Sequence, residues 1–357
     1  MSAQPVPPSI QHELDFAPAA VLVARAFPRE GAPTFDAMPG GASTRRYFRV
    51  LLGGAPKAVA MFVPDGAKPE EVGKGEAAAR WPFLEVRDLL HARGVDVPAL
   101  LGEDTARGWL LLEDLGDDTL AAFLAANPSR REALYVRAVT DLARAQGALA
   151  SLPAGSVVAT RAFDDELLRW EIDHFREWAL EARGVTLTAD DRATFDAVAH
   201  RLAHRIASWP RSFVHRDYQS RNLMVRAAAG GDERLCWIDF QDALLGPRIY
   251  DLVALLNDSY QTFDRAFVEA RLDDYARAHV LSSAERAEVG REFDLVTVQR
   301  KLKDAGRFVF IDRVKKNPSF MRFVEPTIAK VRASLERLQD DPDMRALASV
   351  IARALPL

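Results

Sequence analysis

From about residue 117 onward the chain reads as helix after helix, and one short hairpin interrupts that pattern. Its arms are residues 222–226 and 234–240, joined by a Gly-rich turn at 227–232. A two-stranded hairpin is marginal on its own in water, so it must be packed into the helical lobe. Polar residues crowd both of its ends. Before the first arm stands His215-Arg216-Asp217-Tyr218-Gln219-Ser220-Arg221-Asn222, and the second arm closes on Ile238-Asp239-Phe240. The hairpin folds the chain back so that Asn222 and Asp239 can face one cleft.

The first third is different. Residues 46–52 and 58–63 are rich in aromatic and β-branched residues, with Gly53, Gly54 and Pro56 between them, which predicts a β-hairpin. A helix is expected over 76–92, stopped by Gly94. Residues 109–112 (WLLL) read as a buried strand, and Glu113-Asp-Leu-Gly116 breaks the pattern at once. Amphipathic helices are expected over 131–149, 163–182 and 190–207. The predicted fold class is α+β and bilobal: a small β-rich N-lobe over 1–112, a hinge at 113–116 and a large, mainly helical C-lobe over 117–357.

Composition removes several alternatives. A single cysteine, Cys236, allows no internal disulfide and no Cys-based zinc site, and its place in a strand suggests packing. Lys plus Arg is 47 against 51 Asp plus Glu, a net charge of −4, which argues against a general nucleic-acid binder. His200 and His204 are four apart but lack the Glu of a helical zinc motif. No apolar run approaches the roughly 18 residues needed to span a bilayer, and no basic-then-apolar leader opens the chain. The expectation is a cytoplasmic protein without a membrane or nucleic-acid partner.

The hairpin's residue types suit phosphoryl transfer, in which positioning and charge neutralisation do most of the work. One carboxylate must orient the acceptor hydroxyl and take its proton, and Asp217 is the candidate. A second carboxylate and a neutral oxygen, Asp239 and Asn222, are hard ligands suited to Mg²⁺. His215 is expected to support the loop through hydrogen bonds, and Asp251 in the following helix to brace it from within.

These motifs are similar to those of the aminoglycoside phosphotransferase and choline kinase superfamily, whose fold is protein-kinase-like. More narrowly, the chain resembles bacterial anomeric kinases of N-acetylmuramate and N-acetylglucosamine. The resemblance runs through residues 41–50, 109–116, 215–225 and 238–252, and less specifically through 168–178 and 299–308. It implies ATP and Mg²⁺ as cofactors, with nucleotide contacts from Ser43, Thr44 and Arg45 in a covering loop and from the backbone of Glu113 and Leu115 in the hinge. It implies phosphorylation of a sugar's C1 hydroxyl in cell-wall recycling, by a chain expected to be a monomer. An aminoglycoside or choline/amino-alcohol kinase of the same fold is the alternative, and a nucleotide-binding pseudokinase is a further one.

One departure matters. Protein kinases carry a lysine on the third strand, and Met61 stands there instead. Lys57 lies four residues away, about 13 Å along a strand, too far to replace it. Phosphate neutralisation is then expected from Mg²⁺ and from donors within 41–46. For the acceptor, Glu171, Asp173, Gln219, Asp242, Arg300 and Lys303 are the polar candidates. Polycationic aminoglycosides would favour an acidic site, whereas the basic residues that follow Gln299 suit a neutral or anionic sugar.

Overall fold

The computed structural model describes residues 14–39, 44–64, 80–227 and 232–356. Strands β1 (Thr34–Ala37), β2 (Arg46–Leu52), β3 (Ala55–Phe62), β4 (Leu100–Asp104) and β5 (Trp109–Glu113) form an antiparallel sheet in the order β1-β2-β3-β5-β4. The β2–β3 hairpin is tighter than the sequence suggests. Only Gly53 and Gly54 form the turn, at φ 57° and 82°. Both angles lie in the left-handed region that a two-residue hairpin requires, which is why glycines stand there.

Both faces of this sheet are covered. Phe48, Val50, Ala58, Ala60, Trp109 and Leu111 pack with helix α1 (Ala17–Ala26). Met61, Leu110 and Leu112 point the other way into the main core, as does helix α2 (Pro82–Ala92) through Leu84, Val86 and Leu90. A strand buried on both sides has no polar face, hence the unbroken apolar run of β5. Helix α2 begins with a proline in its first turn, where the missing N–H costs nothing. The helix expected from residue 76 starts at Pro82: Arg80 and Trp81 lie outside it, and 76–79 fall outside the described residues. Gly94 at φ 77° ends it as expected.

The remainder is helical: α3 (Leu120–Ala126), α4 (Arg131–Ala148), α5 (Asp165–His174), α6 (Ala189–Ala207), α7 (Tyr250–Leu256), α8 (Arg265–Ala278), α9 (Ser283–Lys315), α10 (Val324–Arg337) and α11 (Pro342–Ala354). The expected hairpin is β7 (Leu223–Ala227) with β8 (Glu233–Trp237). A second ladder, β6 (Arg211–Val214) with β9 (Leu244–Pro247), was not legible. Its strands are four residues each and far apart in sequence, too short for a period to show. It clamps the two ends of the segment that carries His215 to Asp239.

Helix α9 is the spine of this lobe. A capping box of Ser282 and Glu285 starts it, and it packs against α5, α7, α8 and α10. The single helix expected over 163–182 is broken: regular α5 ends at His174, and residues 175–180 form a π turn. The cause is the close approach of α9. A Cβ on Gly306 would stand 2.1 Å from the His174 carbonyl oxygen. Among the described residues no helix is long and apolar enough to cross a membrane.

Candidate active site

Strand β6 delivers the chain to His215-Arg216-Asp217, and buried groups on α7, on α9 and in the segment after α7 hold that turn. Asp251, in the first turn of α7, accepts the backbone N–H of His215 at 2.6 Å and of Arg216 at 3.0 Å. These bonds hold Arg216 at φ 79°. A non-glycine residue in that region costs roughly 1–3 kcal/mol and persists only where its surroundings over-determine it. Arg300 of α9 adds a bond to the Arg216 carbonyl oxygen at 2.8 Å and meets Asp217 Oδ1 at 3.3 Å. Ser220 donates both its N–H and its hydroxyl to buried Asp258, at 3.2 and 2.5 Å.

His215 is wholly buried beneath the turn. Nε2 lies 3.1 Å from the Ile238 carbonyl oxygen. A carbonyl can only accept, so Nε2 carries the proton. Burial pushes the imidazole down to about 4. A nitrogen-detected NMR titration should therefore show a neutral Nε2–H ring throughout about pH 5.5 to 8, in contrast to an ordinary histidine. An imidazolium signal within that range would contradict the assignment.

The two carboxylates are held differently. Asp217 and Asp239 keep 42% and 43% of their side chains open. For Asp217, the surrounding protein alone would raise the carboxyl, but Arg300, Lys303 and Arg216 outweigh it and hold it below the usual carboxylate range. For Asp239 the same exclusion of water raises it, and the negative charge of Asp217 adds to the rise. The pair thus sense each other across one cleft. Asp239 sits at φ 64°, the second strained residue of the site. Gln241 Nε2 holds its Oδ1 at 2.9 Å, and the Arg45 guanidinium stands 3.6 Å away.

Asn222 joins the two loops. Its Nδ2 donates to the Asp217 carbonyl at 2.8 Å, and its own carbonyl accepts Ile238 N–H at 3.0 Å. With Nδ2 engaged, Oδ1 is the atom left to serve as a ligand. No cluster of three or more His, Cys, Asp or Glu that could hold a metal occurs among the described residues.

The other residues picked from sequence divide into groups. Ser43 lies outside the described residues, and Thr44 opens the chain just before β2. Met61 is fully buried and pairs with Tyr47 across the sheet. Arg45, two residues before Tyr47, shares that face by the period of a strand and brings a cation to Asp239. Of the segment expected to be the hinge, Glu113 donates its N–H to Ala99 at 2.9 Å and accepts Arg226 at 2.5 Å, while Leu115 is half-buried. Arg49 of β2 pairs with Asp114 at 2.9 Å and with Asp117 at 2.8 Å. Gln219 and Asp242 are half-buried beside the two loops.

Two candidates for acceptor contact receive another task. Glu171 is 0% exposed and accepts from Gln299 at 2.9 Å, Tyr250 at 3.3 Å and Arg216 at 3.4 Å. Arg300 is also 0% exposed. Both prop the catalytic turn from behind. A fully enclosed carboxylate with three donors has no face for a sugar, so Glu171 is reassigned from substrate contact to support. Tyr250, Gln299 and Asp258 complete the scaffold and were missed. No local pattern marks them, because each works across more than 35 residues of chain.

Comparison with known proteins agrees with this geometry. The model of the "phosphotransferase enzyme family" matches residues 34–288. The chain is 32% identical over 326 residues to N-acetylmuramate/N-acetylglucosamine kinase of Pseudomonas putida, covering 90% of this chain and 88% of that one. In fold it is similar to choline kinase from Cryptosporidium parvum, with a TM-score of 0.63 at 11% identity over 94% of this chain and all of the other. It is likewise similar to the GDP complex of aminoglycoside 2'-phosphotransferase-IIIa, with a TM-score of 0.56 at 13% identity, covering 90% and 98% of the two chains.

Proposed function

This chain belongs to the phosphotransferase enzyme family, and from that premise we propose that it is an ATP-dependent sugar kinase. Its acceptor would be the anomeric C1 hydroxyl of a hexose or N-acetylhexosamine such as N-acetylmuramate or N-acetylglucosamine. The observation that carries the reading is Asp217, open to the cleft and clamped by Arg300, beside Asn222 and Asp239. The cations that α9 brings to Asp217 disfavour a polycationic aminoglycoside, and the relatives named as sugar kinases share most of the chain's length.

The chemistry follows from the charges. Asp217 stays ionised at working pH, and its depressed pKa makes it a weak base that chiefly orients the hydroxyl. An anomeric hydroxyl is more acidic than an ordinary alcohol, so a weak base suits it. Asp239 and Asn222 Oδ1 would hold Mg²⁺, which neutralises phosphate charge when bound. Arg45 adds a cation from the N-lobe, on the sheet face from which the usual strand lysine is missing.

The test is a panel of sugars, aminoglycosides and choline incubated with ATP and Mg²⁺. The reading expects loss of reducing ends together with a C1-phosphate signal in phosphorus NMR. Product from the aminoglycosides or choline alone would replace the sugar reading, and no product from any class would leave a nucleotide-binding module. Separately, Asp239→Ala should abolish the Mg²⁺-dependent part of ATP affinity in calorimetry. Equal Mg-ATP affinity in the variant would refute the metal assignment.

A further inference from the structure

The face that α9 turns toward the catalytic loop carries information about the acceptor itself. At 100° per residue, Gln299, Gly306 and Phe310 form one row of this helix, and Arg300 and Asp304 form another. The first row packs against α5 and the π turn: Gln299 bonds Glu171 at 2.9 Å, Gly306 abuts His174, and Phe310 meets Trp178 edge-on at 5.0 Å. Of the second row, Arg300 meets Asp217. Lys303 and Arg307 fall on the strip between the two rows, and so project into the angle between α5 and the catalytic loop.

Their surroundings agree with that placement. Lys303 carries its amine close enough to lower the pKa of Asp217, and also faces Tyr250 and Glu171. Its ion-pair partner is Asp304, at 3.5 Å. One turn further along, the Arg307 guanidinium lies 4.8 Å over the ring of Phe310. On α5, Trp170 is 37% exposed and meets His174 edge-on at 4.3 Å, and His174 in turn lies 6.2 Å from Phe310. Beside Asp217, α9 thus carries two cations, Lys303 at 8% exposure and the half-buried Arg307, and a row of rings runs from Phe310 through His174 to Trp170.

Resting on the sugar-kinase reading, we propose that Lys303 and Arg307 form a subsite for a carboxylate on the acceptor sugar, with Trp170 covering an apolar face of its ring. Arg307 Cα lies about 10 Å along the helix from Arg300, at roughly 1.5 Å per residue. A substituent several bonds from the phosphorylated hydroxyl matches that separation. A guanidinium takes a carboxylate through two parallel hydrogen bonds, and the Lys303 amine adds a compact charge beside it. Neutral sugars would occupy the same ring position without this contact.

The test compares two acceptors that differ by one carboxylate-bearing ether, N-acetylmuramate and N-acetylglucosamine. The variants are Lys303→Met, Arg307→Met and Arg307→Lys. Each methionine variant should lower the ratio of kcat/KM for N-acetylmuramate over N-acetylglucosamine at least about tenfold, mainly through the KM of the former, as expected when a charge-assisted bond is lost. Arg307→Lys should restore part of the ratio. A purely structural role would depress both sugars together, and an unchanged ratio overturns the proposal. If the unaltered enzyme phosphorylates neither sugar, the sugar-kinase reading falls by itself. The subsite is then read by calorimetry, where equal losses of both sugars' binding in the variants would overturn it.

Discussion

Asp217→Asn should lower turnover by roughly 10²–10⁴-fold, the span expected for loss of a general base, while ATP affinity stays nearly intact. The separation is built into the hydrogen bonds. Asn222, a candidate metal ligand, is oriented through the main-chain carbonyl of Asp217 and not through its carboxylate. Asp251 likewise fixes the turn through the backbone of His215 and Arg216. The substitution therefore removes the charge and leaves the ligand geometry. It also leaves Arg300, wholly buried, facing a neutral amide. Some loss of thermal stability should accompany the kinetic effect, and a melting curve separates the two. Turnover equal to that of the unaltered enzyme would remove Asp217 from the mechanism.

Gly306→Ala should destabilise the C-lobe and depress activity together. The added Cβ would lie 2.1 Å from the His174 oxygen, 2.4 Å from its carbonyl carbon and 2.9 Å from the Phe175 nitrogen. All three are main-chain atoms, so no side chain can swing aside, and α9 must move away from the π turn. Overpacking costs about 1–3 kcal/mol and occasionally more, and this contact belongs at the upper end. The displaced helix carries Arg300 and Lys303, so their alignment with Asp217 is lost as well. Gly290→Ala in the same helix is the control. Its new Cβ would meet only the far end of Arg265 at 3.8 Å, and helix propensity favours alanine by about 1 kcal/mol. Thermal melts should show the first variant lowered and the second unchanged or raised. Equal melting of Gly306→Ala and the unaltered protein would refute the close-packing argument.

The contacts around Asp217, Asn222 and Asp239 were readable because their parts are near in sequence. Asn222 reaches back only five residues to Asp217, and His215 reaches Ile238 across 23. A hairpin sets both distances, and its period and turn show directly in the residues. The β2–β3 hairpin and the strand at Trp109 were legible for the same reason. Glu171 shows where this stops. A buried and an exposed glutamate look alike in a helical pattern, and its role depends on Gln299, 128 residues away. The break in α5 was hidden too, because its cause is a glycine on another helix.

What the sequence by itself determined is which groups come together: a carboxylate pair and an amide at the ends of one hairpin, among helices. Local spacing and residue type suffice for that, since short chain segments have few ways to place their ends. The tertiary structure alone decided which of the polar side chains are enclosed. Helices α5 and α9 and the catalytic turn come from distant parts of the chain, and only their packing turns Glu171 and Arg300 into props and leaves Lys303 and Arg307 between them. Burial and helix register are properties of the assembled lobe, and no local stretch of residues carries them.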